Sequence, residues 1–198
     1  MDALPRKYLT EEEYLAIERA AQWKSEYYQG EMFAMAGTSR NHARIAFNAA
    51  GELHGGLKGK GCEGYVSDMR VHVERSGLYT YPDIAIVCGN PEFQDGAFDT
   101  LLNPVVIFEI LSPSTESYDR GKKFQMYRQL PSLQEYILIA QDRPFVDQFI
   151  RDDEDRWFVL MTQGLESVLT LQSYGVSIPM SALYENVEFA NSNEQEGG

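Results

Sequence analysis

Two carboxylates stand where burial makes them costly. Asp83 follows Pro82 at the mouth of IAIVC (84–88), and Glu109 sits inside VVIFEIL (105–111). Both runs are short, apolar and rich in branched side chains, so both read as strands buried on two faces. Alternation puts Glu109 on one face with Val105, Ile107 and Leu111. If the runs pair antiparallel around the loop between them, the start of the first meets the end of the second. A register joining Cys88 to Pro104 sets Asp83 opposite Glu109. Side chains so opposed have Cβ atoms about 5 Å apart, where like charges repel. A cation must then lie between them, or one must hold a proton. A hard divalent ion, Mg2+ or Mn2+, suits this pair, because it binds through one or two carboxylates and leaves positions for water and phosphate oxygens. Downstream, Asp119, Lys123, Tyr127 and Leu130 recur at helical spacing. A stripe holding Tyr127 and Leu130 faces a sheet, which aims Lys123 inward, where an ammonium could orient water or steady charge developing on a phosphate.

The elements that must position these groups can be read from periodicity and caps. LTEEEYLAIERAAQW (9–23) predicts a helix with Thr10 and Glu13 as a capping box and Tyr14, Ile17 and Ala21 on one face. YYQGEMFAM predicts two short strands about a turn. TSRNHARIAFNAAGELHGGL (38–57) predicts a second helix capped by Thr38 or Ser39 and stopped by Gly55 and Gly56. GYVSDMRVHVE and YTYPDIAIVCG read as two extended segments separated by a turn near Ser76 and Gly77. SPSTESYDRGKKFQMYRQL runs from a loop into a helix, with Thr115 as cap and Pro131 beyond its end. QEYILIA, PFVDQFIR and RWFVLMT are three strands, the last two joined through DDED (152–155). LTLQSYGVSIPMSALY adds a strand and a helical turn. The expectation is an α/β protein: one mixed central sheet flanked by helices, with extra C-terminal antiparallel strands, one domain over 1–190 and a disordered tail over 191–198.

The set Pro82-Asp83, Glu109 in an apolar strand and a following lysine resembles the PD-(D/E)xK nuclease superfamily. More narrowly, EYYQGEMFAMAG, the His42 segment, YPDIAIV, VVIFEILSPST, DRGKKFQMY and LQEYILI resemble, in order, the Uma-two family of candidate restriction endonucleases in bacteria. The resemblance spans about residues 10 to 140. It implies a restriction-endonuclease-like core, catalytic Mg2+ and hydrolysis of DNA phosphodiester bonds, with Asp83 and Glu109 as metal ligands. The superfamily lysine lies two places after its acid, where this chain has Leu111. The narrower pattern moves it into the helix, so Lys123 inherits the catalytic role, with Tyr127 beside it. A homodimer is expected from the symmetry of a two-stranded substrate.

Other readings weigh against parts of this picture. His42 shares a helix face with Ala46, Ala49 and Leu53, which favours a core histidine, although the family pattern places a histidine there. Glu26 and Glu31 are candidate outer carboxylates in a turn-rich region where acids are commonly solvated. Asp68, Arg70 and His72 alternate on what reads as a wet strand face. Tyr79, Tyr81 and Tyr118 could stack on bases or simply pack. GELHGGLKGKG lacks the ending of a phosphate loop and reads as a helix stop. The net charge of −13 over 198 residues does not suit a protein that coats nucleic acid, but Arg120, Lys122, Lys123 and Arg128 reverse the balance locally, so charge neither supports nor excludes nucleic acid. No apolar run approaches the ~20 residues of a membrane span, and the N-terminus lacks a signal-peptide core. Cys62 and Cys88 form no motif and suit the unpaired thiols of a reducing cytoplasm. A catalytically idle interaction protein keeping the fold is the alternative to an enzyme, and a glycosidase built on the two acids is a weaker one.

Overall fold

A computed structural model describes residues 8–35 and 37–189, so the expected tail over 191–198 lies outside the described residues. The chain runs through α1 (Glu11–Ala20), the hairpin β1 (Ser25–Tyr28) and β2 (Glu31–Ala34), α2 (Arg40–Leu57), β3 (Cys62–Val66), β4 (Arg70–Val73), β5 (Leu78–Thr80), β6 (Ile84–Cys88), β7 (Thr100–Leu101) and β8 (Val106–Leu111). A helical connection of three pieces follows: α3 (Glu116–Tyr118), a π-helical turn over Asp119–Lys123, and α4 (Phe124–Tyr127). Then come β9 (Glu135–Ala140), β10 (Phe145–Arg151), β11 (Trp157–Gln163), β12 (Val168–Leu171), β13 (Val176–Pro179) and α5 (Met180–Leu183).

The central layer is a six-stranded sheet in the order β11-β10-β9-β8-β6-β3. It is mixed: β8 and β9 are parallel, joined by the α3–α4 crossover, and the other pairs are antiparallel. Because both faces are covered, β8 and β9 are buried at every position, which is why they read as continuous apolar runs. One face, with Ile84, Ile86, Val106, Phe108 and Ile110, packs on α2, the β12–β13 ribbon and α5. The other, with Ala85, Val87, Ile107 and Leu111, packs on α4 and on a second sheet ordered β2-β1-β5-β4-β7. Helix α1 lies on the far side of that second sheet, where Tyr14 stacks with Tyr27.

The expected single sheet is therefore two sheets and a ribbon, and the difference has one cause. GYVSDMRVHVE is not one strand. It breaks at Ser67, which takes a positive φ of 49°, so β3 stays in the central sheet while β4 crosses to the second. YTYPDIAIVCG breaks in the same way at Tyr81-Pro82-Asp83, returning the chain from β5 to β6. The amide of Ser67 donates to the carbonyl of Asp83 at 3.0 Å, tying the two crossings together. As a result Arg70 and His72 are buried against α1, and only Asp68 is exposed; the wet face expected for them does not exist. Tyr79 and Tyr81 are buried in the same layer and pack there. Helix α1 has the expected capping box, with Thr10 Oγ1 accepting from the Glu13 amide, but it buries Tyr14, Leu15 and Glu18 and leaves Ile17 exposed. Nor are the cysteines unpaired: Cys62 and Cys88 are cross-strand partners in β3 and β6, and their sulfurs are bonded. Spacing along the chain carries no trace of such a pair.

Helix α2 runs past Gly55 and Gly56, which were expected to stop it, and ends at Leu57. Gly56 has a packing role: a Cβ there would run into the Val176 side chain of β13. Gly56→Leu is expected to lower stability by about 1–3 kcal/mol, as overpacking does, and Val176→Ala should restore part of the loss in the double variant. Denaturant midpoints of the four proteins check this, and additive losses would contradict the contact.

Candidate active site

Strand β6 pairs with β8 as Ile84 to Phe108, Ala85 to Ile107 and Ile86 to Val106, and that register continues to Asp83 opposite Glu109. Asp83 stands one residue before the strand, where the crossing from the second sheet ends. Its Oδ2 accepts the amide of Ile110 at 2.7 Å, and its Oδ1 lies 3.2 Å from His42 Nε2 in the first turn of α2. Glu109 is 5% exposed and points to the opposite layer, where its Oε1 takes the ammonium of Lys123 at 2.7 Å and the phenol of Tyr127 at 3.0 Å. Lys123 itself is only 4% exposed. It also lies 3.1 Å from Glu26 Oε1 and 3.6 Å from Asp119 Oδ1.

The expected stripe explains this convergence. Asp119, Lys123 and Tyr127 recur at i, i+4 and i+8, and all three are buried. The π-helical turn spans the first two of them, a distortion found often at functional sites. Lys122, one residue away, is exposed and sits 4.4 Å above the Tyr28 ring.

The structure thus brings together Asp83, Glu109, Lys123, Tyr127 and His42. Glu31 lies at the turn end of its hairpin, across from Tyr28. Two further carboxylates belong to the cluster. Glu26, which the turn-rich surroundings suggested was solvated, faces inward from β1 and accepts from the Thr80 hydroxyl. Its signal was the alternation that puts Glu26 and Tyr28 on one face of β1, but nothing local says that this face is covered. Asp119 was legible on the stripe without a role.

Three carboxylates consequently surround one ammonium, and Asp83 adds a fourth acid opposite Glu109 on the strand pair. Burial, and next the repulsion of its neighbours Asp119 and Asp83 against the pull of Lys123, holds the Glu109 carboxyl well above the ordinary glutamate value. Asp119 is raised by burial too. Lys123 stays charged, because Glu109, Glu26 and Asp119 outweigh its own desolvation. This excess of negative charge is the condition a divalent cation relieves. The donor set fits a hard ion: a carboxylate oxygen has two acceptor positions, so Asp83 keeps one on each oxygen and Glu109 keeps Oε2. Among the described residues no three His, Cys, Asp or Glu side chains form a cage for a metal.

A family profile described as "Putative restriction endonuclease", Uma2, matches residues 11–181. The chain belongs to the Uma2 family. Two relatives, both uncharacterized proteins of Synechocystis sp., are 34% identical over 185 residues (93% of this chain, 96% of the relative) and 38% identical over 158 residues (80% and 89%). Among solved structures, a putative nuclease belonging to DUF820 from Anabaena variabilis superposes with a TM-score of 0.72 at 16% identity, covering 87% of this chain and 96% of that one. The Uma2 fold of this chain is therefore the restriction-endonuclease-like architecture expected from its sequence.

The raised Glu109 carboxyl sets the pH behaviour of the metal-free protein. A folded-state value above the ordinary 4.5 means the contribution to stability is fully present below pH 4.5 and lost as pH rises through the folded value. Glu109→Gln removes that loss. In EDTA its melting temperature should match wild type near pH 4.5 and exceed it increasingly toward neutrality. A variant less stable than wild type at neutral pH would show instead that Glu109 is the anionic half of a structural ion pair.

Proposed function

We propose that the protein is a metal-dependent endonuclease hydrolysing DNA phosphodiester bonds, with Asp83 and Glu109 holding Mg2+ or Mn2+ and Lys123 as the charge-stabilising catalytic group. The observation that carries this reading is the register that opposes Asp83 to Glu109, with the Lys123 ammonium 2.7 Å from Glu109 in a water-poor layer. Membership of Uma2 supports it. A bound divalent ion supplies Lewis acidity and a water of lowered pKa.

The chain's own groups do the rest. The Ile110 amide and the His42 ring fix both oxygens of Asp83. Tyr127 and Lys123 fix Oε1 of Glu109, which leaves Oε2 as the oxygen to hold the ion. Lys123 is preorganised by three carboxylates, so its charge needs no reorganisation when negative charge grows on a phosphoryl oxygen. His42, Tyr127 and Glu31 are proposed accessories, the first two by position and Glu31 by its place on the hairpin that carries Glu26.

The net charge is not concentrated at this site. The Asp152–Asp155 acids lie at the β10–β11 turn, and β9 separates β10 from β8. A homodimer remains part of the proposal, on the ground of substrate symmetry; the cytoplasmic location expected from unpaired thiols loses that ground, because Cys62 and Cys88 are bonded to each other. Among the described residues no helix is long and apolar enough to cross a membrane.

Calorimetry with Mn2+ and plasmid cleavage test the assignment together. Asp83→Ala should abolish Mn2+ binding and cleavage while the fold persists. Metal binding at wild-type affinity in that variant would remove Asp83 from the ligand set, and a wild type that binds no Mn2+ near neutral pH would favour an idle protein keeping the fold. Lys123→Met should also abolish cleavage. Because it leaves buried acids unpaired, it should cost the metal-free protein about 3–5 kcal/mol, and Mn2+ should bind it more tightly than wild type, since a competing cation has gone. Weaker Mn2+ binding would mean Lys123 supports the metal site instead of competing with it.

A further inference from the structure

Strand β11 forms one edge of the central sheet, with no strand on its outer side. It pairs with β10 at every position from Trp157 to Gln163, without a bulge. Edge strands are ordinarily protected by a lysine, a proline or a bulge, because their free N–H and C=O groups invite another chain. WFVLMTQ has none of the three and no charged residue at all. The opposite edge, β3, carries Glu63 and the disulfide instead.

The side chains of β11 are as open as its backbone edge. Alternation sends Trp157, Val159 and Met161 to one face and Phe158 and Leu160 to the other. Phe158, Val159, Leu160 and Met161 are between 45% and 70% exposed, so the layers covering the sheet stop short of this edge on both faces. Leu165 and Val168, just beyond the strand, are exposed too. Among the described residues, six of the fourteen exposed large hydrophobics thus fall within 158–168. A contiguous apolar area on the order of a few hundred Å2 marks an interaction site on a soluble protein. Two such patches and two strand edges together approach the ~1,000 Å2 that a specific interface needs.

The strand matches a second copy of itself. In antiparallel pairing of two β11 strands, the register that uses every residue puts Leu160 on the two-fold axis. Trp157 then meets the partner's Gln163, Phe158 the partner's Thr162 and Val159 the partner's Met161, so no charge is buried and none opposes its like. Just outside the strand, Arg156 comes opposite the partner's Gly164. Glu166 folds its carboxylate back over Gly164, where an added Cβ would lie 2.5 Å from Glu166 Oε1. The Arg156 side chain is 60% exposed and holds Asp152 and Glu154 of its own turn at 2.7 Å. Pairing brings it a third carboxylate, the partner's Glu166, and symmetry repeats that contact at the other end. A chain of net charge −13 repels its own copy. An uncharged strand flanked by crossed Arg–Glu contacts is where that repulsion is least.

We infer that β11 is the interface of a two-fold homodimer, in which two copies pair edge to edge and join their central sheets. This gives the homodimer expected from substrate symmetry a surface and a register. It uses no group of the carboxylate cluster, so it stands or falls apart from the nuclease reading.

Sedimentation equilibrium of the full chain, from low to high micromolar concentration, should show a reversible dimer. Leu160→Lys sets two ammonium groups together on the axis and should raise the dimer dissociation constant on the order of 100-fold or more. Since Leu160 is half exposed, the fold should survive, with an unchanged melting curve at concentrations where wild type is monomeric. Cross-linking tests the register independently. The two native cysteines are bonded to each other, so an introduced thiol is the one free thiol of the chain. Leu160→Cys should give a covalent dimer on mild oxidation. Thr162→Cys should not, because its two thiols stand four residues out of register, ~13 Å apart. Mn2+ binding should match wild type in all three variants, which separates a failed interface from a failed cluster. A wild type monomeric across the whole range would overturn the assignment and leave this edge to a different chain. So would a dimer indifferent to Leu160→Lys, the absence of a cross-link through Leu160→Cys, or a Thr162→Cys cross-link that forms as readily.

Discussion

The arrangement around Lys123 is a problem of charge balance in a place that excludes water. One ammonium is shared by Glu109, Glu26 and Asp119, and Asp83 adds a fourth carboxylate across the strand pair. An unpaired charge so buried would be strongly unfavourable, so each partner must be delivered by a rigid element. Glu26 comes from the second sheet, Glu109 from the central sheet, and Asp119 with Lys123 from the crossover between β8 and β9. The three-layer packing of the molecule is what allows these elements to meet. The second sheet exists to cover one face of the first, and its β1 strand brings Glu26 over the end of β8.

The parallel β8–β9 pair has a role of its own. Parallel neighbours need a crossover, and here the crossover is the α3–α4 segment that returns Tyr127 and Lys123 over β8. On the other face, α2 brings His42 to Asp83 from the opposite layer. Asp83 can be reached from both sides because it lies before the strand, at the point where the chain changes sheets. The backbone break that separates β5 from β6 and the exposure of Asp83 to two layers are therefore one feature.

Much of this was legible in the sequence, for reasons that can be named. Antiparallel matching of the start of one apolar run to the end of the other was legible, and the one register that opposes Asp83 to Glu109, chosen without a residue to fix it, matches the observed ladder. The inward lysine was suggested by a stripe at i, i+4 and i+8 and chosen over Lys122 by the family spacing. The helix caps at Thr10 and Ser39 followed from side-chain chemistry that acts within three residues. What escaped was decided over long range. Arg70 and His72 alternate as a solvated strand would, and only the packing of α1 buries them. Glu26 looks like any acid near a turn until Lys123, 97 residues later, lies 3.1 Å away. Cys62 and Cys88 become neighbours only once β3 and β6 pair.

That last pairing also acts on the unfolded chain. The cysteines are separated by 26 residues, and the segment between them holds one excursion into the second sheet: β4, β5 and both crossings, ending at Asp83. The bond closes this loop at its neck. A closed loop of that length removes denatured-state entropy worth about 3.5 kcal/mol at 25 °C on a chain-entropy model. The oxidised chain therefore starts folding with this loop already gathered, and with β6, the strand that Asp83 precedes, held beside its partner β3. A reduced chain must find that neck by collision, guided by the ladder alone.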